Sequence, residues 1–106
     1  MEATTIRTPL HGEYKVPGGK LVVADLAVAD GRLAQVQVSG DFFLEPDTAL
    51  DTINAALLGL PADANEALLA AAVRVALGAE VRLFGITPEA VAVAVLRALE
   101  TDGATA

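Results

Sequence analysis

Apolar and polar positions alternate from Lys20 to Val28, where Val22, Ala24, Leu26 and Val28 share one face. They alternate again from Arg32 to Ser39, where Ala34, Val36 and Val38 do the same. A period of two marks a half-buried strand. Asp30-Gly31 between the two runs is a hairpin signal, because both residue types tolerate left-handed backbone. The pattern also predicts a register. A two-residue primed turn at 30–31 pairs 29 with 32 and sets Leu26 against Gln35. A three-residue loop at 29–31 pairs 28 with 32 and sets Leu26, Ala24 and Val22 opposite Ala34, Val36 and Val38. Only the second keeps both apolar sets on one face. The expectation is therefore the longer loop, with Gly31 in the left-handed position where a missing Cβ removes the penalty.

Gly40 breaks the second run, and Phe42-Phe43-Leu44 follows as a short third strand. It holds two of the three phenylalanines in the chain, so it is expected to supply much of the core, with one Phe buried and the other against a helix or a partner. The period then changes to that of a helix. Leu50, Ile53, Leu57 and Leu60 follow Pro46, which suits a first helical position, and Gly59 is a stop. Asp63 with Glu66 resembles a capping box and opens a helix through Leu77, ended by Gly78. Val81 to Phe84 is β-prone, a strand or a link. Thr87-Pro88-Glu89 combines a cap, a first-turn proline and an acid that suits the helix dipole, and it starts a third helix to about Glu100. Residues 1–19 hold no sustained period and read as an extended N-terminal arm ending in the turn KVPGGK. The domain is then 20–100, with 101–106 a frayed tail. Strands followed by helices give an α+β fold, a small antiparallel sheet of about three strands packed against about three helices.

Composition narrows this picture. The chain has 106 residues, enough for one core. Alanine accounts for 22 of them and aromatics for only 4%, so the core is expected to be padded with small side chains. With no cysteine, disulfides, thiolate metal sites and thiol nucleophiles are excluded. The longest apolar runs fall far below the roughly 20 residues a membrane span needs, and the start has no signal-peptide pattern. A cytoplasmic location is the expectation. The net charge of −7 is uneven: residues 21–106 carry −8, while residues 1–20 carry Arg7, Lys15 and Lys20 against Glu2 and Glu13, a balance of +1. That balance argues against nucleic acid and suits an arm that meets an anion or an acidic partner.

Candidate chemistry is sparse. His11 stands alone, without the nucleophile and orienting acid a triad requires, and is expected to face solvent. Asp25, Asp30, Asp41, Glu45 and Asp47 could converge, but sheet edges and helix caps explain them as well. KVPGGK is no P-loop, since it leads into a strand and not a helix. It does offer the backbone N–H groups of Gly18 and Gly19 between the cationic Lys15 and Lys20, a plausible anion contact.

Three stretches carry a resemblance. KVPGGKLVVADLAV, the run DGRLAQVQVSGDFFLEPDTALDTINAALLGLP, and FGITPEAVAVAVLRAL together cover about residues 13–100. Their most specific pieces are K-x-P-G-G-K-L at Lys15–Leu21 and SGDFF at Ser39–Phe43. The whole is similar to the C-terminal accessory domain of lipoate–protein ligases, especially the free-standing form found as the small subunit of bipartite ligases. The resemblance implies a SufE/NifU-like fold. It implies no catalytic residue and no bound cofactor in this chain alone, with lipoate and ATP meeting as lipoyl-AMP in a complex with a large catalytic subunit. The lipoyl group then passes to a lysine of an acceptor protein. It further implies that Lys15, Gly18, Gly19, Lys20 and Asp41 are the candidates for contact with phosphates or with that partner. Two alternatives remain: a non-catalytic binding or regulatory module for a related acyl or biotin ligase, or one for a carrier protein.

Overall fold

A computed structural model describes residues 6–103, with side chains for 10–100. The chain is α+β. Strands β1 (Ile6–Lys15), β2 (Leu21–Ala29) and β3 (Arg32–Gly40) form an antiparallel sheet in the order β1-β2-β3. A separate two-stranded antiparallel ribbon joins β4 (Phe43–Glu45) to β5 (Arg82–Phe84). Helices α1 (Ala49–Leu57), α2 (Glu66–Leu77) and α3 (Pro88–Gly103) complete it. Helix α3 lies across β1 and β2, α2 packs on α3, and α1 lies between α2 and β3. One face of the sheet is therefore covered, and the other carries His11, Asp25 and Gln37 on neighbouring strands.

The hairpin corrects the expected register. Ala29 pairs with Arg32 and Val28 with Leu33, so the loop is the two-residue turn Asp30-Gly31, with φ of 55° and 76°. The apolar faces still coincide, because the register shifts between Ala27 and Val28. Ala34 is the extra residue of a β-bulge, and beyond it Leu26 pairs with Val36 and Ala24 with Val38. A bulge thus matches the apolar faces where a longer loop was expected, and it turns Ala34, expected on the apolar face opposite Leu26, out to solvent. Val22, Ala24, Leu26, Val28, Leu33 and Val38 are all buried.

The arm differs too. Residues 6–15 are strand β1, so the folded unit starts well before Lys20. Leu10 and Gly12 face the helices and His11, Glu13 and Lys15 alternate outward. The register shifts between Arg7 and Leu10, which leaves Pro9 unpaired where its missing N–H costs no ladder bond. Residues 1–5 of the expected arm and 104–106 of the expected tail lie outside the described residues, while 101–103 continue α3.

Small side chains set the spacing of the layers. Ala90, Ala94 and Ala98 recur every four residues along α3, and each is buried. They let the helix lie so low on β1 that a Cβ built on Gly12 would stand 2.3 Å from both Ala94 O and Ala98 N. Three of the chain's alanines thus serve one close helix–strand contact.

The helix starts differ in detail from expectation. Pro46 precedes α1 in a turn, with Ala49 N–H donating to Pro46 O at 3.0 Å, and Thr48 stands at the cap position. Asn65, not Asp63, caps α2: its side chain accepts the Leu68 N–H at 2.9 Å. Thr87 Oγ1 accepts the Ala90 N–H at 3.0 Å, as the sequence implies for α3. The edge of β3 is covered by side chain and loop: Asn54 Oδ1 of α1 accepts the Val38 N–H at 2.9 Å, and Gly59–Ala62 runs beside Gly31–Leu33. Phe43 is not core. Leu44 fills that place, and Phe43 stands 71% exposed. No helix among the described residues is long and apolar enough to cross a membrane.

Candidate functional site

The stretches singled out in the sequence meet at one end of the sheet. KVPGGK is the turn between β1 and β2, since Lys15 pairs with Leu21. The Lys20 N–H donates to Gly85 O at 3.2 Å, which ties the turn to the loop between β5 and α3. The Asp41 N–H donates to Leu21 O at 3.3 Å, which brings the middle of SGDFF beside them. Phe43 then pairs with Phe84 across the ribbon. Three segments far apart in sequence are thus joined by backbone hydrogen bonds.

Within the turn the groups divide. The Gly19 N–H donates to Val16 O at 2.8 Å and the Val16 N–H to Lys20 O at 3.0 Å, so the Gly19 N–H points into the turn and is not offered outward. Lys15 Nζ donates to Gly19 O at 3.0 Å, closing the turn with the ammonium itself. Gly18 sits at φ 72° with open space where a Cβ would be. Lys20 is exposed, and among the described residues no hydrogen bond or ion pair engages its ammonium. Its side chain crosses Gly85, where a Cβ would stand 2.4 Å from Lys20 Cγ, at a φ of 85° that only glycine adopts freely. Asp41 is exposed. Of the five candidates, Lys20 and Asp41 present polar heads that no side chain among the described residues engages, Lys15 is partly committed, and the two glycines shape the loop.

His11 has more company than its sequence position suggests. Its Nδ1 lies 2.5 Å from Asp25 Oδ1 and its Nε2 2.8 Å from Glu13 Oε2, with all three groups about half exposed. A neutral imidazole donates from only one nitrogen, so two carboxylates favour the charged form. The Glu13 hydrogen bond, then that of Asp25, raises the pKa above the ordinary 6.5. Residues 11 and 13 share a strand face by period two, a relation that holds only because residues 6–15 form a strand and not the extended arm expected from the sequence. Arg97 of α3 caps the same strand, donating to Glu13 O at 3.0 Å with its guanidinium 5.0 Å from the Tyr14 ring centre. The five acids Asp25, Asp30, Asp41, Glu45 and Asp47 do not converge, and among the described residues no group of three or more His, Asp or Glu side chains is arranged to hold a metal ion.

By architecture this is a small α+β domain in which a helical layer covers one face of a three-stranded antiparallel sheet. No protein-family model and no curated protein matches the sequence. Among solved structures it is similar to a chain from a work described as the structural analysis of an archaeal lipoylation system, a bipartite lipoate protein ligase and its E2 lipoyl domain from Thermoplasma acidophilum. The TM-score is 0.64 at 20% identity, over 92% of this chain and 97% of that one. At that identity the likeness shows a shared fold.

Proposed function

We propose that this chain is the accessory subunit of a bipartite lipoate–protein ligase, acting with a separate large catalytic subunit in the ATP-dependent formation of lipoyl-AMP. The observation that carries the reading is the likeness in fold, over 92% of this chain and 97% of the other, to a chain of an archaeal lipoylation system. The meeting of KVPGGK, the middle of SGDFF and Gly85 at one end of the sheet supports it.

The chemistry fits that role. Adenylation brings a carboxylate against the α-phosphate of ATP and expels pyrophosphate, so anionic charge accumulates as the bond forms. Fixed cationic groups and the exclusion of water lower that barrier. Lys20, held to the β5–α3 loop through its backbone and with its ammonium unengaged among the described residues, is the group placed to supply such a charge to a site on the partner. Lys15 keeps the turn rigid and contributes more weakly. Asp41 is a candidate for partner contact. The large subunit carries the substrate pocket on this reading, and the acceptor lysine belongs to a third protein.

The test is reconstitution. The chain is added to a large ligase subunit that lacks an accessory domain of its own, and lipoate-dependent ATP–pyrophosphate exchange is measured with intact-mass analysis of both proteins. A strong rise in exchange, with no mass gain on this chain, is the expected result. A lipoyl-sized mass gain on Lys15 or Lys20 would instead make the chain an acceptor. Equal exchange with and without the chain would leave it a binding or regulatory module.

A further inference from the structure

The β4–β5 ribbon displays aromatic surface that its own fold does not cover. Phe43 is 71% exposed and Phe84 44%, and their rings meet edge to face with centroids 6.5 Å apart. Grooves open on both sides of Phe43. One is lined by Phe43, Leu44, Glu45, Asp47 and Phe84, and the other by Phe42, Phe43, Leu44, Asp47 and Leu50. Every charged residue in these walls is acidic, and both carboxylates are exposed.

An apolar floor with a carboxylate rim complements a long cationic side chain. The aliphatic stem lies on the ring and the head reaches the acids, with arginine favoured because its guanidinium also stacks on aromatic faces. The net charge of −7 weighs against a second copy of this chain, or any anionic surface, as the occupant. We infer that the Phe43–Phe84 face docks on the large ligase subunit, through a surface segment presenting arginine or lysine beside aliphatic side chains. The inference rests on the proposed function and adds to it the surface and the chemistry of the contact.

The experiment measures binding of the large subunit by calorimetry, at low and high salt, for the wild type and for Phe43→Ala, Phe84→Ala and the double variant Glu45→Lys/Asp47→Lys. Each phenylalanine change should weaken binding by about tenfold or more, as the loss of a central aromatic anchor does. The charge reversal should weaken it comparably and abolish the fall in affinity with salt that the wild type shows. Thermal melts should stay close to wild type, since the altered groups are exposed. Val75→Ala on α2, at a side chain 81% exposed, should leave binding unchanged. Wild-type affinity in both phenylalanine variants, while the wild type itself binds, overturns the inference and leaves the proposed function standing. Absence of wild-type binding overturns both. Self-association that Phe43→Ala abolishes, with large-subunit binding intact, assigns the face to a second copy and also overturns the inference.

Discussion

Adding one methyl group to Gly12 should cost more than almost any other single methyl in this protein. An ideal Cβ there stands 2.3 Å from Ala94 O, 2.3 Å from Ala98 N and 2.9 Å from Ala98 Cα. All three are helix backbone, so no rotamer change relieves the collision. The helix must lift by about an ångström to restore ordinary contact. Lifting it loosens Val91, Ala94, Val95 and Ala98, each no more than 1% exposed, against the sheet. Overpacking of this kind costs typically 1–3 kcal/mol and occasionally more; with only backbone to yield, Gly12→Ala belongs at about 3 kcal/mol. That is a large fraction of the roughly 5–15 kcal/mol that holds a small domain together. At about 4–5 °C per kcal/mol for a chain of this size, the melting temperature should fall by about 12–15 °C. The assay is a pair of thermal and urea melts followed by circular dichroism. Gly18→Ala is the comparison, since a Cβ there meets nothing within 4 Å and only a φ of 72° opposes it; it should cost about 1 kcal/mol. Trimming Ala94 or Ala98 to glycine should not rescue Gly12→Ala, because the clashing atoms are not side chains. If Gly12→Ala melts no lower than Gly18→Ala, the close seating of α3 on β1 is wrong.

Other expectations follow from individual contacts. Gly31→Val places a β-branched residue at φ 76° and should cost about 1–2 kcal/mol, whereas Gly31→Asn should cost much less; equal losses in urea melts would contradict the primed turn. Asn54→Leu leaves the Val38 N–H at the edge of β3 without its partner, and about 1–3 kcal/mol should be lost, with hydrogen exchange at Val38 accelerating first. His11 has a folded pKa raised above 6.5, so the stability it contributes is fully present below that value and is lost as pH rises through the folded pKa. Melts between about pH 5.5 and about pH 8.5 should show this decline in the wild type and lose that component in His11→Gln; an unchanged profile would mean the carboxylates do not hold the imidazolium. Lys20→Ala should leave the melt unchanged and lower adenylation in the reconstituted complex by about tenfold, as loss of a charge-assisted contact does, while Lys15→Ala should have a smaller effect on adenylation; silence of both would reduce KVPGGK to a turn.

The elements with strong local signals were legible, and those whose signals depend on distant partners were not. Alternation in β2 and β3, the Thr87–Pro88 start and the Gly78 stop all arise within a few residues, and the structure places them accordingly. Strand β1 escaped notice because its inward positions include Gly12, which is silent in hydropathy. Its alternation becomes visible only once α3 is known to press on that glycine. The hairpin shows a pattern fixing what must be achieved but not how: matched apolar faces were required, and a bulge at Ala34 supplies them. Of the two adjacent phenylalanines the pattern could not say which turns inward: Phe42 packs partly against the core, while Leu44 takes the inward position of so short a strand and turns Phe43 out. As to the site, Lys20 and Asp41 were legible as exposed polar groups, but not their convergence, which rests on backbone bonds to Leu21 and Gly85. Arg74, which reads as an isolated helix residue, pairs with Glu89 and ties α2 to α3.

The accessory role is tested most directly by titration. Lipoate-dependent ATP–pyrophosphate exchange is followed at a fixed concentration of large subunit while this chain is added. Exchange should rise steeply and saturate at one equivalent, and omitting lipoate should abolish it. Exchange that is already maximal without the chain, or that stays flat as the chain is added, would contradict the account.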